Sequence, residues 1–484
     1  MNQEIEQLEP KRIWFNFSKL NAVPRPSKKE EKVIEFMLNF GRSLQLETLK
    51  DEVGNVIIRK EASIGMEDCK PITLQSHLDM VHQKNSDTDF DFDTQGIEMY
   101  VDGDWVRARG TTLGADNGMG VAAIMSLLES HDIPHPPLEA LFTIDEETGM
   151  TGAMGLKGGV LKGQILLNLD TEEDNEIDIG CAGGIDITAT RTYEEQTVPK
   201  ESIAYRISVK GLHGGHSGMD IHRGFGNANK IMNRLLFKSA EEFGIGVSQI
   251  DGGSLRNAIP RESFATVVLN ADRKKDFEVQ IAKWVEDIKS ENSFIETNLD
   301  INLNKVEMPA KMMEKTAQDK ILRAVYGAHN GVYGMSAAIA DLVETSNNIA
   351  RIEVKSGKIR IGCLTRSSVD TAKNDLANSL KSVFELADCT VTLTGEYPGW
   401  SPNPNSEILE VLKDQYEILF SEKPKVVACH AGLECGILGK NYPEMDMISF
   451  GPTIKGAHSP DERVSISSVK KFWTFLLQIL KNTP

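Results

Sequence analysis

No apolar run in this 484-residue chain approaches the length that a membrane-spanning helix needs, so a helical bilayer anchor is excluded from the outset. Basic residues are in deficit. The 53 Lys and Arg against 71 Asp and Glu leave a formal charge of −18, which argues against nucleic acid or anionic membrane as partners, since both demand basic patches. Cysteine is scarce, with six in the whole chain, at Cys69, Cys181, Cys363, Cys389, Cys429 and Cys435. The opening stretch "MNQEIEQLEPKRIWFNFSKL" lacks the basic start, apolar segment and small-residue cleavage site of a secretory signal. Reduced thiols are therefore expected rather than a disulfide framework, and the chain reads as a soluble cytoplasmic enzyme. Cys429-His430 with Cys435 invites a zinc reading, but the spacing matches no common ligand pattern, and buried structural thiols are preferred.

Several catalytic signatures are missing as well. There is no G-x-x-x-x-G-K-[ST] phosphate loop, no H-E-x-x-H helix and no G-x-S-x-G nucleophile elbow. The glycines of "EETGMTGAMGLKGG" do not fit the dinucleotide fingerprint and read as turns. No fixed-period repeat or low-complexity segment is evident. Without a phosphate loop or a nucleophile motif, metal-activated water becomes the best-supported nucleophile.

What is present reads as a globular chain of ordinary composition, 40% hydrophobic and 26% charged, and long enough for two domains or more. "PSKKEEKVIEFMLNFGRSL" predicts a helix opened by a capping box, Ser27 with Glu30, and striped by Val33, Ile34, Met37, Leu38 and Leu44. Short β-rich runs follow at 55–59, 72–77, 138–144 and 165–170, several apolar on consecutive positions, as strands covered on both faces should be. Between them "GMGVAAIMSLLES" predicts a helix with Val121, Ile124, Met125 and Leu128 on one side. Strands alternating with helices imply an α/β fold, an open mixed sheet flanked by helices. Near residue 186 the character changes to alternating strands such as "RIEVKSGKIRIG" and helices at 225–237 and in "DFEVQIAKWVEDIKS". That stretch predicts an α+β domain inserted into the first. The expected division is 1–185, an inserted 186–390, and a closing 391–484 whose runs "KVVACH" and "MDMISFG" return to complete the first sheet.

In such sheets the chemistry gathers at the carboxyl ends of strands. Collecting polar residues there yields His77 and Asp79 in "TLQSHLDM", Asp116 in "TTLGADNGMG", Glu146 and Glu147 in "TIDEETG", and Asp170 in "LLNLDTEE". His458 joins them from the glycine-flanked loop "GPTIKGAHSPDERV". Zinc accepts this mixture of N and O donors, and two close ions need a shared carboxylate. His77 and Asp170 suit one ion, Glu147 and His458 the other, with Asp116 between them. Asp79 is then placed to hydrogen-bond the His77 ring, and Glu146 to take a proton from a bridging water. Each residue also has a plainer reading as a turn former, and Asp116-Asn117 as a helix N-cap. Together they are harder to dismiss, because clustered buried carboxylates repel one another and a cation is the simplest remedy.

The blocks "SHLDMV", "GADNGMG", "DEETGMTGA", "LLNLDTEE", "GLHGGHSGMD" and "GAHSPDERV" occur in order over essentially the whole chain. They resemble the signatures of the co-catalytic zinc peptidases, a family of glutamate carboxypeptidases, aminoacylases and dipeptidases, and most of all its aminoacyl-histidine, or cytosol non-specific, dipeptidase branch. The resemblance implies a catalytic domain in two chain segments with an inserted lid. It implies His77, Asp116, Glu147, Asp170 and His458 as ligands of two divalent ions, zinc first with manganese or cobalt as alternatives. Asp116 bridges in that scheme, and the peptide bond after it is cis. Asp79 is carried over as the residue behind His77 and Glu146 as the general base. In the lid, His216 of "GGHSG" is implied as an oxyanion stabiliser, and Asn257 in "GSLRNAIP" and Arg366 in "LTRSS" as substrate-binding residues. Arg366 would pair with a C-terminal carboxylate, against the alternative of a surface salt bridge. Glu434 in "AGLECG" is the candidate for the free amino terminus. Asp rather than Glu at position 170 points to dipeptides rather than carboxypeptidase substrates. The implied activity is a dipeptidase of broad specificity, including Xaa-His dipeptides such as β-alanyl-histidine, with small dipeptides as the partners and a homodimer as a possible assembly. The rivals are an N-acyl amino-acid deacylase on the same ions and a non-catalytic small-peptide binding protein.

Overall fold

The computed structural model describes residues 4–484, which divide into two compact units. One runs to Gly180 and takes in Trp400–Ala428 and Leu433–Pro484, while the other comprises Cys181–Gly399 with Cys429–Gly432.

The first unit is built on an eight-stranded mixed sheet. Its order is Glu47–Lys50, Val56–Lys60, Leu138–Thr143, Ile72–His77, Ile165–Asn168, Asp446–Ser449, Glu176–Cys181, Lys425–Cys429. Ile72–His77 lies between Leu138–Thr143 and Ile165–Asn168 and runs parallel to both. Every residue of these three strands is buried, as layers on both faces require. Asp446–Ser449 adds on parallel to Ile165–Asn168, so the closing segment of the chain does return to the first sheet.

The helix Ala115–Leu128 departs from the one-sided pattern expected of it. All residues from Asn117 to Leu128 are buried, because the helix packs against both the Lys11–Asn21 helix and the strand Ile72–His77. Gly118 and Gly120 let it approach that closely, since a Cβ on Gly118 would meet the Phe17 ring at 2.9 Å. The capping box expected at Ser27 does not form. The helix begins at Glu31 with no side-chain cap, and Leu44 falls just past its end. Ser27 Oγ instead donates to the Met80 carbonyl at 3.1 Å, Lys28 is left-handed, and the Glu30 carboxylate accepts from Lys28 N–H at 2.8 Å. A long-range backbone partner outcompetes the local cap.

The second unit is a nine-stranded antiparallel sheet. Its order is Asp300–Lys305, Ser202–Lys210, Ser263–Asn270, Gly246–Gly252, Val343–Lys355, Lys358–Ser367, Gly183–Thr192, Thr390–Tyr397, with Gly331–Met335 beside Val343–Lys355. The helices Ala228–Phe243, Lys274–Asn292, Lys315–Gly327 and Asp370–Glu385 share one apolar core with it, including Ile207, Val267, Ile361 and Leu376. The helix expected over 225–237 starts and ends later. Asn227 caps it by accepting from Asn229 and Lys230 amides. Among the described residues there is no disulfide, and no helix is long and apolar enough to cross a membrane.

Candidate metal centre

Three neighbouring parallel strands of the first unit end on the same edge of the sheet. Their register sets His77 opposite Thr143, so the residues after Thr143 and after Asn168 emerge beside His77. The chain then turns sharply at Asp145, which is left-handed with φ 53, and Glu146–Gly149 form a single helical turn. The alternation of a strand is over by that point. Glu146 and Glu147 accordingly reach the same place, each offering a carboxylate oxygen within 4.8 Å of His77 and of the other.

Asp116 arrives from the start of the buried helix. Gly114 there is left-handed, Asp116 has the non-helical φ −81 and ψ 113, and the Asp116-Asn117 peptide bond is cis. Neither residue is a conventional N-cap. Asn117 Nδ2 donates to Leu169 O at 3.0 Å and also to the Asp170 carboxylate, so it holds the next strand end. His77 Nε2 lies 3.2 Å from Asp116 Oδ1 and 3.6 Å from Asp170 Oδ1. His458 Nε2 lies 3.2 Å from Asp116 Oδ2 and 3.0 Å from Glu147 Oε2. Two three-donor groups result, His77–Asp116–Asp170 and Asp116–Glu147–His458, and they share Asp116 through its two different oxygens.

The electrostatics of the cluster are those of a site short of positive charge. Burial pushes Asp170 up to about 7, and the Asp116 and Glu147 charges add to it although His77 opposes. Burial likewise raises Glu146 well above the usual carboxylate range, with Asp170 and Glu147 adding to it, and raises Glu147 beside Asp116. Hydrogen bonds to Asp116 and Glu147 carry His458 up to about 11. Burial would lower His77, yet Asp170, Asp116 and Asp79 hold it well above the usual imidazole range. Burial would raise Asp116, yet the two imidazoles pull it below the usual range. Protonated imidazoles wedged between carboxylates do here what divalent cations would do better. Glu147 Oε1 is buried without a hydrogen-bond partner, an acceptor still to be filled. Two imidazoles with three carboxylates, one of them shared, fit two divalent ions of the zinc, manganese or cobalt kind.

Asp79 is fully buried behind His77. Its Oδ1 lies 3.3 Å from His77 Nδ1 and accepts from Glu146 N–H at 3.0 Å, while Oδ2 accepts from Glu147 N–H at 3.3 Å. His77 Nδ1 also lies 3.2 Å from the Asp79 backbone carbonyl, so Asp79 orients the ring through both its carbonyl and its carboxylate, and the carboxylate also holds the turn that carries the two glutamates. Glu434, at the start of the helix Glu434–Asn441, is also fully buried. Its Oε2 accepts from Gln75 Nε2 and Thr143 Oγ1, each at 2.6 Å, and burial pushes it up to about 8.

In the second unit His216 and Arg366 come together. His216 Nδ1 accepts from the Gly218 and Met219 amides at 3.2 and 3.0 Å, so in the neutral ring the N–H is at Nε2. That nitrogen lies 3.4 Å from Arg366 Nη2. Arg366 is buried, and its Nη1 donates to Tyr397 Oη at 2.9 Å, with Ser217 Oγ 3.4 Å from Nε. Its neighbours are hydroxyls and an imidazole, which corrects the surface salt bridge held open above. Asn257 is exposed, and its backbone carbonyl accepts from Ser217 N–H at 2.8 Å. The zinc reading of Cys429, His430 and Cys435 finds a different arrangement. His430 is held by Ser346 Oγ at 2.8 Å, and burial lowers it to about 3.

Sequence reasoning passed over Arg25, Asn117 as a hydrogen-bonding residue, and Glu462. Glu462 stands four residues after His458 in the same motif block, which was the only local signal, and Arg25 in "AVPRPS" had none.

Comparison with known proteins adds family and fold. The profile of "Peptidase family M20/M25/M40" matches residues 73–482. The chain is 43% identical to the cytosol non-specific dipeptidase of Escherichia coli (strain K12) over 481 residues, 99% of each chain. It is 44% identical to an aminoacylhistidine dipeptidase from Vibrio alginolyticus of known crystal structure, with a TM-score of 0.93 and coverage of 100% of this chain and 98% of that one. An aminopeptidase from Bacillus cereus, 15% identical, shares the fold with a TM-score of 0.57 over 98% of each chain.

Proposed function

The chain belongs to peptidase family M20/M25/M40, and from that premise we propose that it is a metal-dependent dipeptidase of broad specificity whose substrates include Xaa-His dipeptides such as β-alanyl-histidine. The observation that carries this reading is the pair of donor groups sharing Asp116, set in a chain that aligns end to end with a cytosol non-specific dipeptidase. His77, Asp116 and Asp170 hold one ion and Asp116, Glu147 and His458 the other, with zinc as the first choice. When bound, such ions polarise a scissile carbonyl and bring the pKa of a water towards neutrality.

The rest is done by the chain's own groups. Glu146 belongs to neither group that contains Asp116, yet its carboxylate lies within 4.8 Å of the His77 and Glu147 donor atoms. It takes a proton from the attacking water and returns it to the leaving amine. Asp79 fixes the His77 tautomer. His216 is the oxyanion donor, a role supported by the two amides that leave its N–H at Nε2. Arg366 receives the C-terminal carboxylate with Asn257 as a further contact, and Glu434 receives the amino terminus. In the same proposal the first unit is the catalytic domain and the second unit, Cys181–Gly399 with Cys429–Gly432 rather than 186–390, its lid, and the protein acts in the cytoplasm, as a homodimer in one form of assembly.

The test is metal-stripped protein reconstituted with zinc, manganese or cobalt and screened over a dipeptide library against N-acetyl amino acids. Turnover of dipeptides with two equivalents of metal is the expected result. Turnover of N-acetyl amino acids alone would replace it with a deacylase. Fewer than two equivalents and no turnover would leave a binding protein.

A further inference from the structure

The bridging position of Asp116 depends on backbone that no regular element holds. Leu113 to Asp116 precede the helical turns proper, with Gly114 left-handed at φ 68. Four amides of that stretch nevertheless end on one side chain. Glu462 Oε2 accepts from Leu113 N–H at 2.7 Å and Gly114 N–H at 3.0 Å, and Oε1 from Ala115 N–H at 2.7 Å and Asp116 N–H at 3.3 Å. Two donors on each oxygen saturate a carboxylate. Glu462 is 2% exposed, so water does not compete for them.

The carbonyl side of the same turn is held as well. Arg25 Nη2 donates to Gly114 O at 2.5 Å, and Nη1 donates to Leu78 O and Asp79 O at 3.1 Å each. Arg25 thereby ties the turn to the residues that follow His77. Glu462 ties it to the loop of His458, which meets Asp116 from 342 residues away in sequence. There is little room to shift, since a Cβ on Gly114 would meet Arg25 Nη2 at 2.5 Å and Met80 Sδ at 2.9 Å.

We propose that Glu462 is a positioning residue of the two-ion site, the strut that sets the Asp116 carboxylate between His77 and His458, so that both ions depend on a side chain that binds neither. The inference rests on the reading of His77, Asp116, Glu147, Asp170 and His458 as ligands. A glutamine at 462 would turn an NH2 towards two of the four N–H donors and lose those bonds, leaving buried donors unsatisfied. The Asp116 backbone would be released with them. Because Asp116 belongs to both donor groups, the loss falls on both ions, whereas loss of His458 removes a donor from one.

The experiment compares metal-stripped full-length wild type with Glu462→Gln, titrating zinc and manganese in competition with a chromophoric chelator. Circular dichroism checks folding, and affinities are taken for the folded fraction, which a merely structural defect would leave unchanged. Both equivalents are expected to weaken in E462Q, by about 10–100-fold. Two equivalents bound as tightly as in wild type, or weakening of one ion alone, would overturn the proposal. Fewer than two equivalents in wild type would overturn the ligand reading itself, a separate result. Should E462Q not fold, hydrogen exchange on the metal-stripped wild type decides. Amides 113–116 as protected as in the metal-loaded protein support the strut, and exchange at the rate of an open loop refutes it.

Discussion

Replacing Glu146 by glutamine removes one charge and one proton acceptor while keeping the shape of the side chain. Its backbone amide is held by Asp79 Oδ1 at 3.0 Å, so the turn that also presents Glu147 stays in place. Both donor groups that share Asp116 remain complete, and two equivalents of metal are expected to bind as before. What is lost is the acceptor for the water's proton. General acid–base contributions of about 10²–10⁴-fold translate into roughly 3–5 kcal/mol of activation free energy, so kcat should fall by that factor. The metal-free protein should respond in the opposite direction. Burial, with Asp170 and Glu147 nearby, raises the Glu146 pKa well above its unfolded value, so its ionisation opposes folding at neutral pH. Glutamine relieves that cost, and the metal-free Tm should rise near pH 7 while changing little near pH 4, where the carboxyl is largely protonated in both states. Steady-state kinetics on a dipeptide, metal analysis and thermal melts read all three. A kcat within a few-fold of wild type would refute the general-base role. Loss of one metal equivalent would mean that Glu146 is a ligand.

Two further substitutions probe other parts of the reasoning. Asp79→Asn leaves either the His77 ring together with the Glu146 amide, or the Glu147 amide, facing an NH2, so metal affinity should fall about 10–100-fold in the chelator titration, and an unchanged affinity would confine Asp79 to folding. Asp178 is pushed up to about 7 by burial, despite the hydrogen bond from Thr171 Oγ1 at 2.8 Å. Its folded pKa exceeds the unfolded value, so stability is lost as pH rises from about 4 to about 7 and stays lost above. Asp178→Asn should therefore raise Tm at pH 8, with an upper limit of about 4 kcal/mol, and have little effect at pH 4. Equal effects at both pH values, followed by calorimetry, would contradict the burial argument.

Legibility in the sequence differed from element to element. Ile72–His77 was marked by its apolar run and its polar end, because a strand covered on both faces shows itself in consecutive residues. The helix Ala115–Leu128 was visible as a helix but not as a fully buried one, since its second apolar neighbour, Lys11–Asn21, lies a hundred residues away. Ser27 and Glu30 carried a valid local cap signal that failed because the Met80 carbonyl competes for the serine hydroxyl. Glu146 and Glu147 could share a cavity only if the strand had ended, and the left-handed Asp145 is where it does so. His216 and Arg366 drew attention as single residues, while their approach to 3.4 Å depends on strand pairing within the second unit.

The sequence by itself determined the donor types, two imidazoles among acidic residues at predicted strand ends and in one C-terminal loop, and with them the class of chemistry, because hard and borderline cations follow from the ligand atoms on offer. It also carried the order of motif blocks that marks the family. Only the tertiary structure decided which oxygen faces which nitrogen, that Asp79 serves a ring and two amides at once, and that Glu462 accepts from the amides of the Asp116 turn while Arg25 donates to its carbonyl side. Side-chain chemistry and periodicity belong to short stretches of chain. A saturated carboxylate, or a carboxylate shared between two imidazoles, is a property of segments more than 300 residues apart, brought together by parallel strand register and by turns whose partners lie elsewhere in the chain.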